Sequence, residues 1–118
     1  MLRILFDKNV PYPLKQYLSE FQVRTADEEG WAQISNGDLI TYAETAGYQV
    51  LITCDQNIHY QQNLTKREIS MVVLGSNIWP AVLPRVNDIV RAIERSSRGS
   101  FDFIEIARLP KRRRIQRD

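Results

Sequence analysis

Val50-Leu51-Ile52-Thr53-Cys54-Asp55 is the stretch whose reading decides the fold. Apolar and β-branched residues run without alternation into an aspartate, and a polar segment, Gln56-Asn57, begins at once. A short run of this kind predicts a strand covered on both faces, as in a parallel sheet. A carboxylate just beyond it sits at the carboxyl end of the strand, the edge where open α/β sheets gather ligands. The chain opens the same way: Leu2-Arg3-Ile4-Leu5-Phe6 is followed by Asp7.

Working outward, residues 2–6 predict the first strand, and Val10-Pro11-Tyr12-Pro13 leads into a helix near 12–19. Leu14, Tyr17 and Leu18 have the spacing of that helix's inward face. Residues 21–25 alternate as a second, more exposed strand, and Asp27-Glu28-Glu29-Gly30-Trp31 reads as a polar turn. A helix is expected from about 36 to 46, with Leu39, Ile40, Tyr42, Ala43 and Ala46 as its stripe and Gly47 as its stop. The third strand is 49–54 and the fourth is 69–74. A long helix starts at Pro80 or Pro84 and turns Val82, Val86, Ile89, Val90 and Ile93 inward. Residues 101–106 predict a fifth strand at an edge. Strands alternating with helices imply a three-layer α/β/α sandwich on a mostly parallel five-stranded sheet. The expected order, 2-1-3-4-5, sets the first and third strands side by side, so that Asp7 and Asp55 meet where the connections diverge to opposite faces.

A chain of 118 residues is one domain in length and closes a core without staples. Cys54 is the only cysteine, which excludes an internal disulfide or a cysteine zinc site and favours a reducing, cytoplasmic setting. No apolar run approaches the ~20 residues of a membrane span, and the N-terminus enters a strand directly, with no signal-peptide pattern. The net charge of +2 conceals an asymmetry. Residues 1–107, the expected domain, carry ten basic and thirteen acidic side chains. The tail, 108–118, holds six basic residues, including Lys111, Arg112, Arg113 and Arg114. Such a run attracts phosphate with little sequence preference; it is equally a solubilising tail.

Asp7 and Asp55 brought together repel, and a shared proton, a basic partner or a divalent cation relieves them. Hard oxygen donors without a His or Cys cluster point to Mg²⁺ or Mn²⁺. Asp38, in the first turn of the 36–46 helix, is the candidate third carboxylate. Each aspartate also fits a local role. Asp7 and Asp55 suit turns or caps, and Ser35-x-x-Asp38 fits a capping box.

Leu5-Phe6-Asp7-Lys8-Asn9-Val10-Pro11, Ser35-Asn36-Gly37-Asp38-Leu39-Ile40 and Val50-Leu51-Ile52-Thr53-Cys54-Asp55 together resemble the small bacterial PIN-like proteins, relatives of toxin–antitoxin nucleases. The resemblance covers residues 2 to about 75 in ordered blocks, and Thr53-x-Asp55 is its sharpest feature. It implies a ribonuclease in which Asp7, Asp38 and Asp55 hold Mg²⁺ or Mn²⁺ and Thr53 orients the cluster. It also implies RNA as substrate, an antitoxin protein as partner, and a homodimer. The cation's chemistry suits this: it makes water a usable nucleophile near neutral pH and offsets charge on the scissile phosphate. Lys8 stands where relatives commonly carry an acid, and Gly75-Ser76-Asn77 lacks the further acid many of them place after the fourth strand.

Lys8 and His59, the only histidine, are candidate phosphate contacts beside the tail; His59 is equally a surface loop residue. Trp31 and Trp79 read first as packing residues and second as stacking surfaces for bases. Two alternatives stay open: a PIN-like fold that binds RNA or a partner without cutting, and a receiver-like phosphoacceptor domain. The receiver lacks its acid pair, because Lys8 occupies that position.

Overall fold

The computed structural model describes residues 1–58 and 66–107. Five strands form one sheet: β1 (Arg3–Phe6), β2 (Gln22–Thr25), β3 (Val50–Thr53), β4 (Ser70–Leu74) and β5 (Phe101–Ile104). All neighbouring pairs are parallel and the order is β2-β1-β3-β4-β5, as the strand pattern predicts. β3 and β4 are buried at every position, which is why their sequences show no alternation. β2 alternates exposed and buried residues because it is an edge.

The sheet carries a core on each face. Ile4, Phe6, Val50, Ile52, Val72 and Leu74 point to one, with Leu14, Leu18, Ile89 and Ile93 from the covering helices. Leu5, Leu51, Met71 and Val73 point to the other, under Leu39, Ile40 and Ala43. This is the α/β fold in three layers.

The covering elements differ from the sequence expectation in four places. Residues Tyr12–Leu18 form a 3₁₀ helix rather than an α-helix, with Pro13 in its first turn. Leu14 and Leu18 are buried, whereas Tyr17 stays half exposed and lays its ring against Trp79 at 5.6 Å. The expected polar turn at 27–31 is instead a short helix, α1 (Ala26–Glu29). Thr25 Oγ1 accepts from the Glu28 N–H at 3.0 Å, and Glu28 Oε1 accepts from the Thr25 N–H at 2.9 Å. That capping box was readable as Thr25-x-x-Glu28. At α2 (Asn36–Thr45) the box expected from Ser35 and Asp38 is missing. Ser35 is the N-cap residue but makes no side-chain cap bond, and its hydroxyl only reaches Asp38 Oδ2 at 3.4 Å. The long helix expected after Pro80 is broken into α3 (Trp79–Val82), a 3₁₀ turn (Leu83–Arg85) and α4 (Val86–Glu94). Pro84 has no N–H to donate and its ring crowds the preceding turn.

Gly47 ends the α2 segment with φ +90°, and a Cβ there would lie 2.9 Å from Arg3 Nη1. The Arg3 guanidinium bonds the Ala46 carbonyl and stacks on the Tyr48 ring at 4.4 Å, tying β1 to the end of α2. At the same end of α2, Glu44 accepts from the backbone N–H groups of Glu68 and Ile69 and pairs with Arg67, which anchors the start of β4. Partial burial pushes the Glu44 carboxyl up, but those bonds outweigh it and hold its pKa below the usual carboxylate value.

One feature of the topology was not readable from pattern. The β1–β2 and β4–β5 connections both pack on the same face of the sheet, yet they travel in opposite directions along it. With all strands parallel, the two crossovers have opposite hands. The β2–β3 connection packs α2 on the other face and shares the hand of β1–β2. The β4–β5 unit therefore departs from the rule that crossovers in one sheet share a hand.

Candidate functional site

The register of β1 against β3 builds the site. Phe6 pairs with Ile52, and the ladder continues one step further, with the Asp7 N–H donating to the Ile52 carbonyl at 2.9 Å. Asp7 therefore stands across from Thr53. Thr53 is fully buried and Asp7 is only 9 % exposed. The Thr53 hydroxyl donates to Asp7 Oδ2 at 2.8 Å and accepts from the Asp55 N–H at 3.1 Å. One hydroxyl thus ties both aspartates to the same strand end.

Their remaining oxygens also have protein donors. Asp7 Oδ1 accepts from the Lys8 N–H at 2.7 Å. Asp55 Oδ1 accepts from the Asn57 N–H at 3.0 Å, a turn closed by its own side chain. Asp55 Oδ2 accepts from the Asn36 amide. These groups open on a cleft of about 830 Å³ lined by Asp7, Lys8, Asn9, Asn36 and Asp55, with residues 33–37 as its far wall.

Asp38 is not brought to this cleft. It lies exposed on α2 and its one described hydrogen bond is to Ser35. The reason is helical phase. Leu39, Ile40 and Ala43 are the buried stripe of α2; position 36 falls in line with them, whereas position 38 is displaced by about 200° from 36. Asn36 is the residue that sequence reading missed, and the i, i+3, i+4 spacing of 36, 39 and 40 was the available signal. Among the described residues no group of three His, Cys, Asp or Glu side chains is placed to hold a metal ion.

Lys8 is exposed and lines the cleft. Lys15, Arg24, Arg67, Arg85, Arg91, Arg95 and Arg98 are all in ion pairs. The Lys8 ammonium has no such partner among the described residues, and the donors on the Asp7 oxygens are the Thr53 hydroxyl and the Lys8 backbone N–H. His59, Lys111, Arg112, Arg113 and Arg114 lie outside the described residues.

Cys54 faces away from the cleft, its thiol directed to the carbonyls of Asn9 at 3.7 Å and Ser76 at 3.5 Å. It links the segments that leave β1 and β4 across the end of β3. Burial, reinforced by the charge of Asp7, pushes its pKa up to about 12. The thiol therefore stays protonated at neutral pH and is no nucleophile. Iodoacetamide at pH 8 is expected to alkylate native Cys54 at least about tenfold more slowly than the unfolded chain; equal rates, followed by mass spectrometry, would contradict this environment. Trp31 packs edge-on against Tyr42 and Tyr48, and Trp79 lies tilted against Tyr17, so both indoles serve as packing residues.

A second hollow, of about 380 Å³, lies at the opposite edge of the sheet among Leu2, Glu44, Gln49, Ser70 and Arg98. Its polar groups are already matched: Gln49 Oε1 accepts from the Arg3 N–H, Ser70 bonds the Gln49 carbonyl, and Arg98 pairs with Glu68. The chemistry sits at the carboxyl edge instead, where two strand-end carboxylates share one cleft.

Fold and site together define an α/β protein with a paired-aspartate cleft at the carboxyl edge of a parallel sheet. The chain matches no family model, no curated protein and no solved structure. No helix among the described residues is long and apolar enough to cross a membrane.

Proposed function

We propose that the chain is a PIN-like, divalent-cation-dependent ribonuclease of the cytoplasm, acting as the toxin half of a toxin–antitoxin pair. The observation that carries this reading is the convergence of Asp7 and Asp55 from adjacent parallel strands, cross-tied by the buried Thr53 hydroxyl.

The donor set fits Mg²⁺ or Mn²⁺. It consists of hard carboxylate oxygens, each with a lone pair beyond its present hydrogen bond. Mg²⁺ is commonly held by only one or two carboxylates and completes its shell with water. Asp7 and Asp55 would hold the cation. When bound, it supplies charge neutralisation at the phosphate and a water of lowered pKa. Thr53 fixes the direction of the Asp7 carboxylate. Lys8 offers an ammonium at the cleft with no ion-pair partner among the described residues, suited to a phosphate oxygen as a point charge. The basic tail, Lys111 to Arg114, adds sequence-independent attraction for RNA or for an acidic partner protein.

A receiver-like phosphoacceptor is the weaker reading. Its strand order is the same, but the second acid it needs beside Asp7 is Lys8, and the β4–β5 crossover has the opposite hand to β1–β2 and β2–β3. The test is cleavage of single-stranded RNA by the purified protein in Mn²⁺ or Mg²⁺. Cleavage should appear with either ion and vanish with EDTA; intact RNA under both ions, or cleavage indifferent to EDTA, would overturn the proposal.

A further inference from the structure

Among the described residues four donors reach the four carboxylate oxygens of Asp7 and Asp55, and they are not equivalent. Two are backbone N–H groups, of Lys8 and Asn57, and belong to the same segments as the aspartates they bond. The third is the Thr53 hydroxyl, fully buried within β3. The fourth, the Asn36 amide, comes from a different element, the first turn of α2, and crosses the cleft to reach Asp55 Oδ2. It is the one side chain of the far wall that bonds an aspartate of the pair. Its N–H occupies a carboxylate lone pair that a cation would otherwise use, and it carries no charge of its own to attract one.

We infer that Asn36 is the positioning residue that sets the cation affinity of the Asp7–Asp55 pair: its amide competes with the cation for Asp55. This rests on reading the pair as a cation site. The same helical phase makes position 36, and not position 38, the place from which a third carboxylate would join the pair. In the wild type a cation then has to share Asp55 Oδ2 with the Asn36 amide, which draws off part of the electron density the cation would use. Removing the amide should free Asp55, and a carboxylate in its place should add a ligand.

The experiment is a Mn²⁺ titration followed by the electron paramagnetic resonance of the free ion, on the full chain with no substrate present. Asn36→Asp is expected to bind Mn²⁺ about tenfold or more tightly than wild type, in the range by which outer partners tune metal affinity. Asn36→Ala should bind a few-fold more tightly, and Asp38→Asn should match wild type. A second readout covers folding: without cation, Asn36→Asp should melt below wild type, because three carboxylates then crowd one cleft. Mn²⁺ should raise its melting temperature more than that of wild type. Equal Mn²⁺ affinity in wild type and both Asn36 variants, or a loss in Asp38→Asn, would overturn the inference while leaving the paired-aspartate site standing. No uptake by any variant would remove both.

Discussion

Asp55→Asn is expected to lower cation-dependent RNA cleavage by at least about 100-fold, with the fold retained. Losing a ligand should exceed the ~10–100-fold typical of losing an outer partner. Asparagine has the same shape and keeps an oxygen to accept the Asn57 N–H, so the turn at 55–58 survives. Asn36 then faces an amide, and a half-turn of its own amide restores the bond. Asp7→Asn should match this loss, since the two aspartates act as one holder. It carries a larger folding cost, because Asp7 is buried and both its oxygens accept from fixed donors. The discriminating control is Asp38→Asn. Sequence reading makes Asp38 a ligand, but its exposed place on α2 predicts cleavage within a few-fold of wild type. Initial rates on one labelled RNA, with circular dichroism of each variant, check all three. Wild-type rates in Asp55→Asn would exclude this cleft as the site.

Thr53→Val should be the most damaging conservative change in the chain. Valine fills the same volume, so the cost is the hydroxyl alone. Its loss leaves Asp7 Oδ2 without a donor beside the fully buried Thr53 side chain, and the partly buried Asp55 N–H without an acceptor. An unsatisfied buried group costs about 1–3 kcal/mol, and more when charged. A loss of about 3 kcal/mol in total and a fall of roughly 10 °C in Tm follow for a domain of this size. Cleavage should also drop by about 10–100-fold, as for other groups that orient a ligand. Thr53→Ser keeps the hydroxyl and should recover most of the activity. Denaturant melts and cleavage rates measured on the same samples separate the two effects. Unchanged stability in Thr53→Val would mean that the hydroxyl is not what joins the two aspartates.

Much of this site was legible in the chain. Strand ends at Phe6 and Thr53 follow from apolar runs that stop at a carboxylate, and the order that pairs them is the one preferred for an open α/β sheet with a switch point between its first and third strands. Asp7 and Asp55 therefore meet as expected. The far wall was misread because Asp38 attracts attention as an acid, while Asn36 looks like an ordinary helix-start residue. Charge is visible in a sequence; the rotation of a helix about its axis is visible only through the stripe it buries. The capping boxes show the same limit. Thr25-x-x-Glu28 and Ser35-x-x-Asp38 look alike as strings, but only the first closes. Glutamate reaches back to the N-cap N–H, whereas the shorter aspartate meets the Ser35 hydroxyl instead.

By itself the amino-acid sequence determined five buried or half-buried strands, their parallel arrangement, and a carboxylate at the end of two neighbours. Periodicity and turn chemistry are local properties, so they survive without knowledge of the packing. Tertiary structure alone decided that Asn36 reaches Asp55, that Lys8 lines the cleft with no ion-pair partner among the described residues, and that the β4–β5 connection crosses with the opposite hand. Each of these depends on where one element is set down against another, and many placements bury the same apolar stripes equally well.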